Sequence, residues 1–266
     1  MKHIVSLSGG SASAVAADRV IERYGSDDVT LWFADTLWED EGLYRFLQDL
    51  EARWGKEIVR YADGRNPLEV CEDKVIIPNS LAAPCSHELK QKPFKAYIQT
   101  LPKPLTVHLG LSWDEQHRMA KPKEIYEEIP GVTVDFPLMW KPLPYMSYTL
   151  TIEEWGIDPP RLYKMGFPHN NCGGRCVRQG ISEWVRLWRV MPERFQEVSD
   201  WEQRQRAKGG PRANRTIQKD RQGGESTPLT LEEIKKRQDT GQLEMFPGDS
   251  FGCFLSLIHI SEPTRP

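Results

Sequence analysis

The sequence predicts an α/β fold in which a parallel, twisted sheet carries helices on both of its faces. Short runs rich in β-branched residues alternate, along the first part of the chain, with amphipathic segments of about a dozen residues. Glycines close the first two amphipathic segments, as is common where helices end. Parallel strands need a crossover connection between them, and these segments can supply it.

The predicted elements begin in the order strand, helix, strand, helix, strand, and two further strands follow. The predicted strands are KHIVSLS (2–8), DDVTLWFAD (27–35), KEIVRYAD (56–63), PLTVHLGL (104–111) and GVTVDFPL (131–138). The predicted helices are ASAVAADRVIERYG (12–25) and DEGLYRFLQDLEARWG (40–55). We therefore expect residues 1–165 to form one α/β domain, in which a ligand would lie at the carboxyl ends of the strands.

From about Trp140 the composition shifts to proline, aromatic residues and cysteine, which predicts a second and less regular region at 166–254. Residues 181–207 have a helical pattern, and residues 230–238 predict a short helix capped by Thr230. Between these helices, KGGPRANRTIQKDRQGG (208–224) is polar, basic and rich in glycine, which indicates a loop or flexible arm.

The segment VSLSGGSAS (5–13) places glycines and serines between the first predicted strand and the first predicted helix. Glycine lets the main chain approach a phosphate closely, serine hydroxyls add donors, and a helix N-terminus favours negative charge. We expect an anion site here, with the binding residues Ser8, Gly9, Gly10, Ser11 and Ser13. The alternative is an ordinary tight turn between a strand and a helix. Neither a Walker loop nor a G-x-G-x-x-G fingerprint is present.

The same segment resembles the S-G-G-x-x-S loop of the PP-loop, or adenine nucleotide α-hydrolase-like, superfamily, with Ala12 where an aspartate is usual. Later segments are similar, in the same order, to motifs of its 3′-phosphoadenylyl-sulfate (PAPS) reductase-like family. They are FADTLWEDEGLYRFLQDL, PCSHELKQKPF, GLSWDEQHR and PLMWKPLPYMSYTLTIEEWGIDPPRLYKMGFPHNNCGGRC. The resemblance spans residues 3 to 180 and implies an enzyme that binds ATP or an adenylyl sulfate, together with Mg²⁺.

The resemblance extends the expected nucleotide site beyond the glycine loop. At matched positions it adds Asp35, Thr36, Gly110, Asp114 and Glu115. Asp35 would accept hydrogen bonds from a ribose or help to hold Mg²⁺, and the candidate catalytic residues Lys90 and Arg118 would neutralise phosphate or sulfate charge. The alternatives are a helix cap for Asp35 and solvated surface charges for Lys90 and Arg118.

The cysteines offer two alternatives, metal binding and redox chemistry. Cys172 and Cys176 form a C-x-x-x-C pair, and with Cys85 and Cys253 they would make a four-thiolate set for a [4Fe–4S] cluster or a structural Zn²⁺. In the redox alternative, Cys253 is the candidate nucleophile, although the E-C-G-x-H motif of sulfonucleotide reductases is absent. Cys71 is expected to be buried on a helix and inert. His87 and His169 stand beside the cysteines as further candidate ligands.

Basic residues concentrate in the segment 204–221 of a chain whose net charge is -3. They are Arg204, Arg206, Lys208, Arg212, Arg215, Lys219 and Arg221. Such local asymmetry favours a polyanionic partner, either the phosphates of the nucleotide or a nucleic acid. The alternative is a solvated loop.

Other features of the chain narrow the class of protein. No apolar run approaches the roughly 20 residues that cross a bilayer, so we expect no membrane partner and a cytoplasmic location.

The last residues, LSLIHISEPTRP (255–266), resemble a translated sequencing adapter. We therefore expect a non-native tail and a native C-terminus that is missing beyond residue 254.

Three functions follow from these expectations. The first is an enzyme that acts at the α-phosphate of ATP or at the sulfate of an adenylyl sulfate, in sulfur transfer or in modification of a nucleic acid. For sulfur transfer, that enzyme would need a sulfur donor as a partner. The second is a true sulfonucleotide reductase, which would release sulfite and need a thioredoxin-like reductant. The third is a non-catalytic module that binds a nucleotide or a nucleic acid. The sequence predicts no oligomeric state.

Overall fold

The computed structural model describes residues 1–144, 147–220 and 226–240. Five parallel strands form one sheet, with the order β3-β2-β1-β4-β5. The strands are β1 (Lys2–Leu7), β2 (Val29–Asp35), β3 (Ile58–Ala62), β4 (Leu105–Leu109) and β5 (Val132–Asp135). All five predicted strands are therefore confirmed, and so is the α/β fold class.

Helices follow every strand of the sheet and then dominate the second half of the chain. They are α1 (Ser11–Tyr24), α2 (Glu41–Trp54), α3 (Pro67–Asp73), α4 (Pro84–Ser86), α5 (Lys92–Thr100), α6 (Ala120–Glu127), α7 (Ser147–Glu154), α8 (Arg161–Lys164), α9 (Ile181–Val190), α10 (Pro192–Ala207) and α11 (Leu231–Asp239). A π-helical turn, His87–Gln91, joins α4 to α5. No helix in the described ranges is long and apolar enough to cross a membrane.

Local sequence explains where these helices begin and end. Asp40 caps α2 by accepting a hydrogen bond from the Gly42 N–H, and Gly55 ends that helix in the left-handed conformation. Thr230 caps α11 by accepting from the Glu233 N–H, as predicted. The helical pattern of residues 181–207 is divided between α9 and α10, because Pro192 cannot continue the first helix and instead begins the second.

Helices cover both faces of the sheet. Ala17 and Val20 of α1 pack with Leu43 and Leu47 of α2 on one face. On the other face, residues of α5 and α6 pack against Ile4, Trp32 and Val107. Because β1 lies in the middle of the sheet between β2 and β4, the loops after these three strands meet at one edge.

A separate hydrophobic cluster occupies the C-terminal region. Trp184 of α9, Phe195 of α10 and Ile234 of α11 belong to it, and all three residues are buried. Residues from α3 to the π-helical turn, such as Cys71 and Leu89, belong to the same cluster. The prediction that Cys71 is a buried helical residue is confirmed.

Residues 208–217 form an ordered connection with one 3-10 turn (Gly210–Arg212), and the prediction of a loop was wrong only for residues 218–220, which form a strand. A two-stranded antiparallel hairpin, β6 (Gln218–Asp220) and β7 (Thr227–Leu229), follows α10. The carboxylate of Glu202, fully buried on α10, accepts hydrogen bonds from the Ile217 N–H at 2.7 Å and the Leu231 N–H at 2.8 Å. Burial raises the pKa of Glu202. This buried anchor is not visible as a local sequence pattern.

Two histidines pair inside the sheet. Nδ1 of His3 lies 3.0 Å from Nε2 of His108, and His3 stacks on Tyr24. Burial lowers the pKa of His108 to about 4, although the carboxylate of Asp135 opposes that shift and the guanidinium of Arg23 reinforces it. Burial also lowers the pKa of His3. Both imidazoles are therefore neutral at pH 7.

This pair predicts a pH dependence of stability. The ordinary histidine pKa is 6.5, so between pH 6.5 and about 4 the unfolded chain binds a proton at His108 that the folded chain does not. We expect the free energy of unfolding to fall by about 3 kcal/mol as the pH falls through this window. Urea unfolding of the wild type and of His108→Gln at several pH values measures the slope.

His108→Gln should lose a large part of this pH dependence of the free energy of unfolding, whatever its stability at neutral pH. His169 adds to the remaining slope with the same sign, because its pKa also lies at about 4. His117 is exposed, so His117→Gln is the matched control and should leave the slope unchanged. An unaltered slope in His108→Gln would contradict the assignment.

Candidate nucleotide site

The glycine loop (residues 8–13) joins β1 to α1 and owes its shape to one serine and one glycine. Oγ of Ser13 accepts from the Ser8 N–H at 3.1 Å and donates to the Gly10 carbonyl at 2.9 Å, so it braces both ends of the loop. Gly9 has a φ of +78°, and a Cβ there would lie 2.4 Å from Cδ1 of Leu43. Glycine is therefore required at position 9 by the backbone and by packing.

A polar cavity, which we call the phosphate pocket, opens above the glycine loop. The loop lines one side with Ser8, Gly10 and Ser13, and the segment after β4 lines another with Gly110 and Glu115. A Cβ on Gly110 would lie 2.9 Å from Cα of Ser13, so only glycine allows the two segments to approach this closely. The predicted convergence of the loops after β1 and β4 is thus observed.

The segment after β4 is held by its own hydrogen bonds. The Ser112 N–H donates to Oε2 of Glu115 at 3.3 Å, and Oγ of Ser112 donates to the Asp114 carboxylate. Burial raises the pKa of Glu115, while the ion pair with Arg118 opposes that shift. Asp114 does not line the pocket; its partner is Ser112.

The C-terminal half of the chain closes the phosphate pocket. Oη of Tyr163, on α8, accepts from the Ser11 N–H at 3.4 Å. Nδ2 of Asn170 donates to the Gly9 carbonyl at 3.0 Å. His169 also lines the pocket, and burial together with the positive charge of Arg118 lowers its pKa to about 4. Sequence reasoning missed Tyr163 and Asn170, although both lie in segments whose motifs it had recognised.

A second, apolar cavity adjoins the phosphate pocket on the α5 and α6 side of the sheet. It is partly open to solvent, and its apolar wall is formed by Trp32, Ala34, Phe94, Leu109, Leu111 and Tyr126. Lys90 and Arg118 contribute the cationic groups of its lining. Ser6, Ser8 and Asn171 line both cavities, so the two are direct neighbours, and we refer to them together as the cleft.

Asp35 and Thr36 come at the end of β2 but line neither cavity. Oδ1 of Asp35 accepts from the Leu37 N–H at 2.8 Å and from Oη of Tyr44 at 2.9 Å. Burial, and then the hydrogen bond to Asp35, raise the pKa of Tyr44 above its usual range. Thr36 donates to Oε1 of Glu39 at 2.9 Å. The nucleotide roles predicted for Asp35 and Thr36 stay predictions.

Glu39 is a central residue that sequence reasoning missed. Its side chain is fully buried and accepts hydrogen bonds from Thr36, from Nζ of Lys90 at 3.4 Å and from the Cys172 N–H at 2.6 Å. One carboxylate therefore joins the end of β2, the candidate catalytic lysine and the cysteine segment. The only local signal was an acidic residue three positions after Thr36 in TLWEDE.

Three of the four predicted metal ligands belong to one large hydrophobic cluster, but the fourth is outside the described residues. Cys85, Cys172 and Cys176 are buried in the hydrophobic cluster of the C-terminal region. Within the ranges that the structure describes, no group of three His, Cys, Asp or Glu side chains could hold a metal ion. Cys253 cannot be placed among them, so the cluster, the Zn²⁺ and the redox role stay predictions.

The basic segment presents part of its charge to solvent. Two of its arginines make hydrogen bonds with nearby residues of the same region. Arg206 donates to the Ala213 carbonyl, and Arg212 donates to the side chain of Gln205. The exposed members are Arg204, Lys208, Arg215 and Lys219. Arg221 lies outside the described residues, as does the tail 255–266. A polyanionic partner for this segment stays a prediction.

Comparison with known proteins adds one structural likeness. No protein-family model matches the chain, and no curated protein matches it. The chain is similar to the crystal structure of phosphoadenylyl-sulfate (PAPS) reductase from Candida auris in its phosphate complex, with 15% sequence identity and a TM-score of 0.43. The match covers 63% of this chain and 79% of that one. At this level of similarity no activity is transferred from that enzyme to this chain.

Proposed function

We propose that this protein binds an adenine nucleotide across the cleft and acts at its α-phosphate or sulfate. The phosphate or sulfate end lies on the glycine loop, and the base lies in the apolar cavity. The observation that carries this proposal is that a polar and an apolar cavity lie side by side, since a nucleotide is itself an apolar ring joined to a polyanion. Three shared residues, Ser6, Ser8 and Asn171, mark the junction between the two parts.

The phosphate pocket has donors suited to an anion. The first turn of an α-helix leaves N–H groups without helical acceptors, and α1 begins at Ser11 on the pocket's edge. The aligned peptide dipoles of this 14-residue helix add a favourable potential for negative charge. The hydroxyl of Ser8 lies beside these amides, 3.0 Å from Oγ of Ser13.

Lys90 and Arg118 bring positive charge to the apolar cavity, each with a carboxylate beside it. Lys90 forms an ion pair with Glu39, and Arg118 forms an ion pair with Glu115. A bound phosphate or sulfate would compete with these carboxylates for the same donors. Such pairing holds the two cations in place before the ligand arrives, which lowers the entropy cost of binding.

The chemistry that fits this cleft is displacement either at the α-phosphorus or at the sulfur of the sulfate. With ATP, an acceptor oxygen forms a bond to the α-phosphorus, and pyrophosphate leaves with the electron pair of the broken P–O bond. The glycine-loop amides would stabilise the charge of that leaving group. The described residues offer no three-ligand metal set, so we assign no step to Mg²⁺ or to a cluster.

The assay that tests the proposal compares products from two nucleotides. ATP should yield pyrophosphate if the site acts at the α-phosphate, and adenylyl sulfates should yield sulfite in the presence of a dithiol if it is a reductase. Either product supports an enzyme and distinguishes the two reactions. Tight nucleotide binding without either product would indicate a binding module, and absence of binding would overturn the proposal.

Ala34→Phe should separate the roles of the two cavities. Ala34 is buried on the wall of the apolar cavity, so a phenyl ring there occupies the space proposed for the base. We expect the affinity for ATP to fall on the order of tenfold or more, since apolar contact with the base is lost. The affinity for inorganic pyrophosphate should stay within about twofold, because its site on the glycine loop is untouched. Titration calorimetry measures both.

The exposed Ala207, at the end of α10, allows Ala207→Phe as a matched control that should change neither affinity. Unchanged ATP affinity in Ala34→Phe would place the base elsewhere.

A further inference from the structure

Asn170 links the glycine loop to the cysteine loop, which we define as residues 171–176. Its side chain is 3% exposed, and Nδ2 donates to the Gly9 carbonyl at 3.0 Å. Its Oδ1 is buried and has no hydrogen-bond partner among the described residues, although Asn170 lines the phosphate pocket. Cys172 follows two residues later. A side chain on the pocket wall therefore holds one end of the cysteine loop.

The cysteine loop has a second anchor, at Cys172. The Cys172 N–H donates to Oε2 of Glu39 at 2.6 Å, and Oε1 of Glu39 lies 3.4 Å from Nζ of Lys90. Lys90 lines the apolar cavity. Both anchors thus end on groups that belong to the proposed nucleotide cleft.

The backbone at the second anchor has an unfavourable conformation for a residue that is not glycine. Cys172 has a φ of +51°, in the left-handed region that residues with a Cβ rarely adopt, and Gly173 and Gly174 also have positive φ. Such a conformation persists only where the surroundings hold it, at a cost on the order of 1–3 kcal/mol for the non-glycine residue. Loss of an anchor should therefore let the loop open.

We infer that Asn170 is a positioning residue that couples occupancy of the phosphate pocket to closure of the cysteine loop. The inference rests on the proposed function. The Gly9 carbonyl that accepts from Asn170 shares its peptide group with the Gly10 N–H, and Gly10 lines the pocket. An anion that accepts from this N–H polarises the peptide and makes its carbonyl a stronger acceptor. The bound anion thereby strengthens the Asn170 anchor, and the closed cysteine loop in turn favours the bound anion.

Amide hydrogen exchange of the full chain, followed by mass spectrometry of its peptides, tests this coupling with inorganic pyrophosphate as the probe. If opening of the cysteine loop requires loss of the ligand, exchange in residues 171–176 should slow about tenfold at a pyrophosphate concentration about ten times Kd. Exchange at the glycine loop should slow as well, which reports binding itself. Local fraying of α11 (Leu231–Asp239) should not change, and it serves as the internal reference.

Asn170→Ala and Asn170→Leu both remove the donor to Gly9 without adding charge to the phosphate pocket, and the second keeps about the size of the side chain. Each variant should still show slowed exchange at the glycine loop with pyrophosphate, but no slowing at 171–176. Asn214 is exposed to solvent in the loop after α10. Asn214→Ala is therefore the matched control and should behave as the wild type. If one Asn170 variant fails to fold, the other carries the comparison.

The outcomes are distinct for the inference and for the proposed function. Pyrophosphate binding without any change at 171–176 in the wild type overturns the inference and leaves the proposed function standing. Slowing at 171–176 that persists in a folded Asn170 variant also overturns the inference. Absence of pyrophosphate binding overturns the proposed function, and the coupling with it.

Discussion

Gly10→Val should lower the affinity for ATP and for pyrophosphate about a hundredfold while leaving the chain folded. Gly10 has an extended backbone, so a side chain is sterically allowed by its φ of -103°. The reason for the loss is space, because a Cβ at this position would lie 2.8 Å from Oη of Tyr163. Either the valine or the displaced tyrosine then enters the phosphate pocket. Titration calorimetry measures the affinities, and circular dichroism checks the fold.

The double variant Gly10→Ala with Tyr163→Phe tests that steric reason. Removing the hydroxyl gives the new Cβ room, so this protein should bind pyrophosphate more tightly than Gly10→Ala alone. Ala207→Val, at an exposed helix end, is the matched control and should bind as the wild type does. Unchanged affinity in a folded Gly10→Val would mean that the glycine loop is only a turn between β1 and α1.

Glu39→Ala should lower the free energy of unfolding by about 3 kcal/mol, because it removes a buried carboxylate that three donors share. Lys90 and the Cys172 N–H would lose a partner in a region of low solvent access. For a chain of this size the loss corresponds to a fall in Tm of roughly 6–10 °C. Urea unfolding and differential scanning calorimetry measure the two quantities.

Glu41 supplies the matched control for Glu39. Its side chain is 75% exposed and pairs with Arg161 and Arg194 at the surface, so Glu41→Ala should cost less than about 1 kcal/mol. Glu39→Gln keeps the shape and most acceptor capacity, and its cost should lie between those of the two alanine variants. Equal costs for Glu39→Ala and Glu41→Ala would contradict the central role of Glu39.

The strands and the glycine loop could be predicted because their signals are local. Each strand is a contiguous β-rich run bounded by polar residues or glycine, and the pattern records burial directly. The loop could be recognised because the steric freedom of Gly9 and Gly10 and the braces of Ser13 act within six residues. Parallel pairing then brought Gly110 to Ser13 without any further information.

Residues that act across long separations could not be predicted in the same way. Asn170 meets Gly9 and Tyr163 meets Ser11 only after the chain has passed around the sheet and returned. Glu202, buried on α10, likewise folds the basic hairpin, which in sequence looked like a solvated arm. In each case one or two hydrogen bonds link segments that are distant in the chain, and so few bonds leave no periodic trace in the sequence.

The sequence by itself determined the α/β class, the strand positions and the glycine-rich loop at the end of β1, because each depends on local backbone propensity and burial. Only the tertiary structure decided how the cleft is closed and how its charges are paired. It placed Tyr163 and Asn170 over the glycine loop, and it joined Lys90 to the cysteine loop through Glu39. The physical reason is that a buried polar group must find a partner wherever the fold supplies one, and the distance along the chain does not limit that choice.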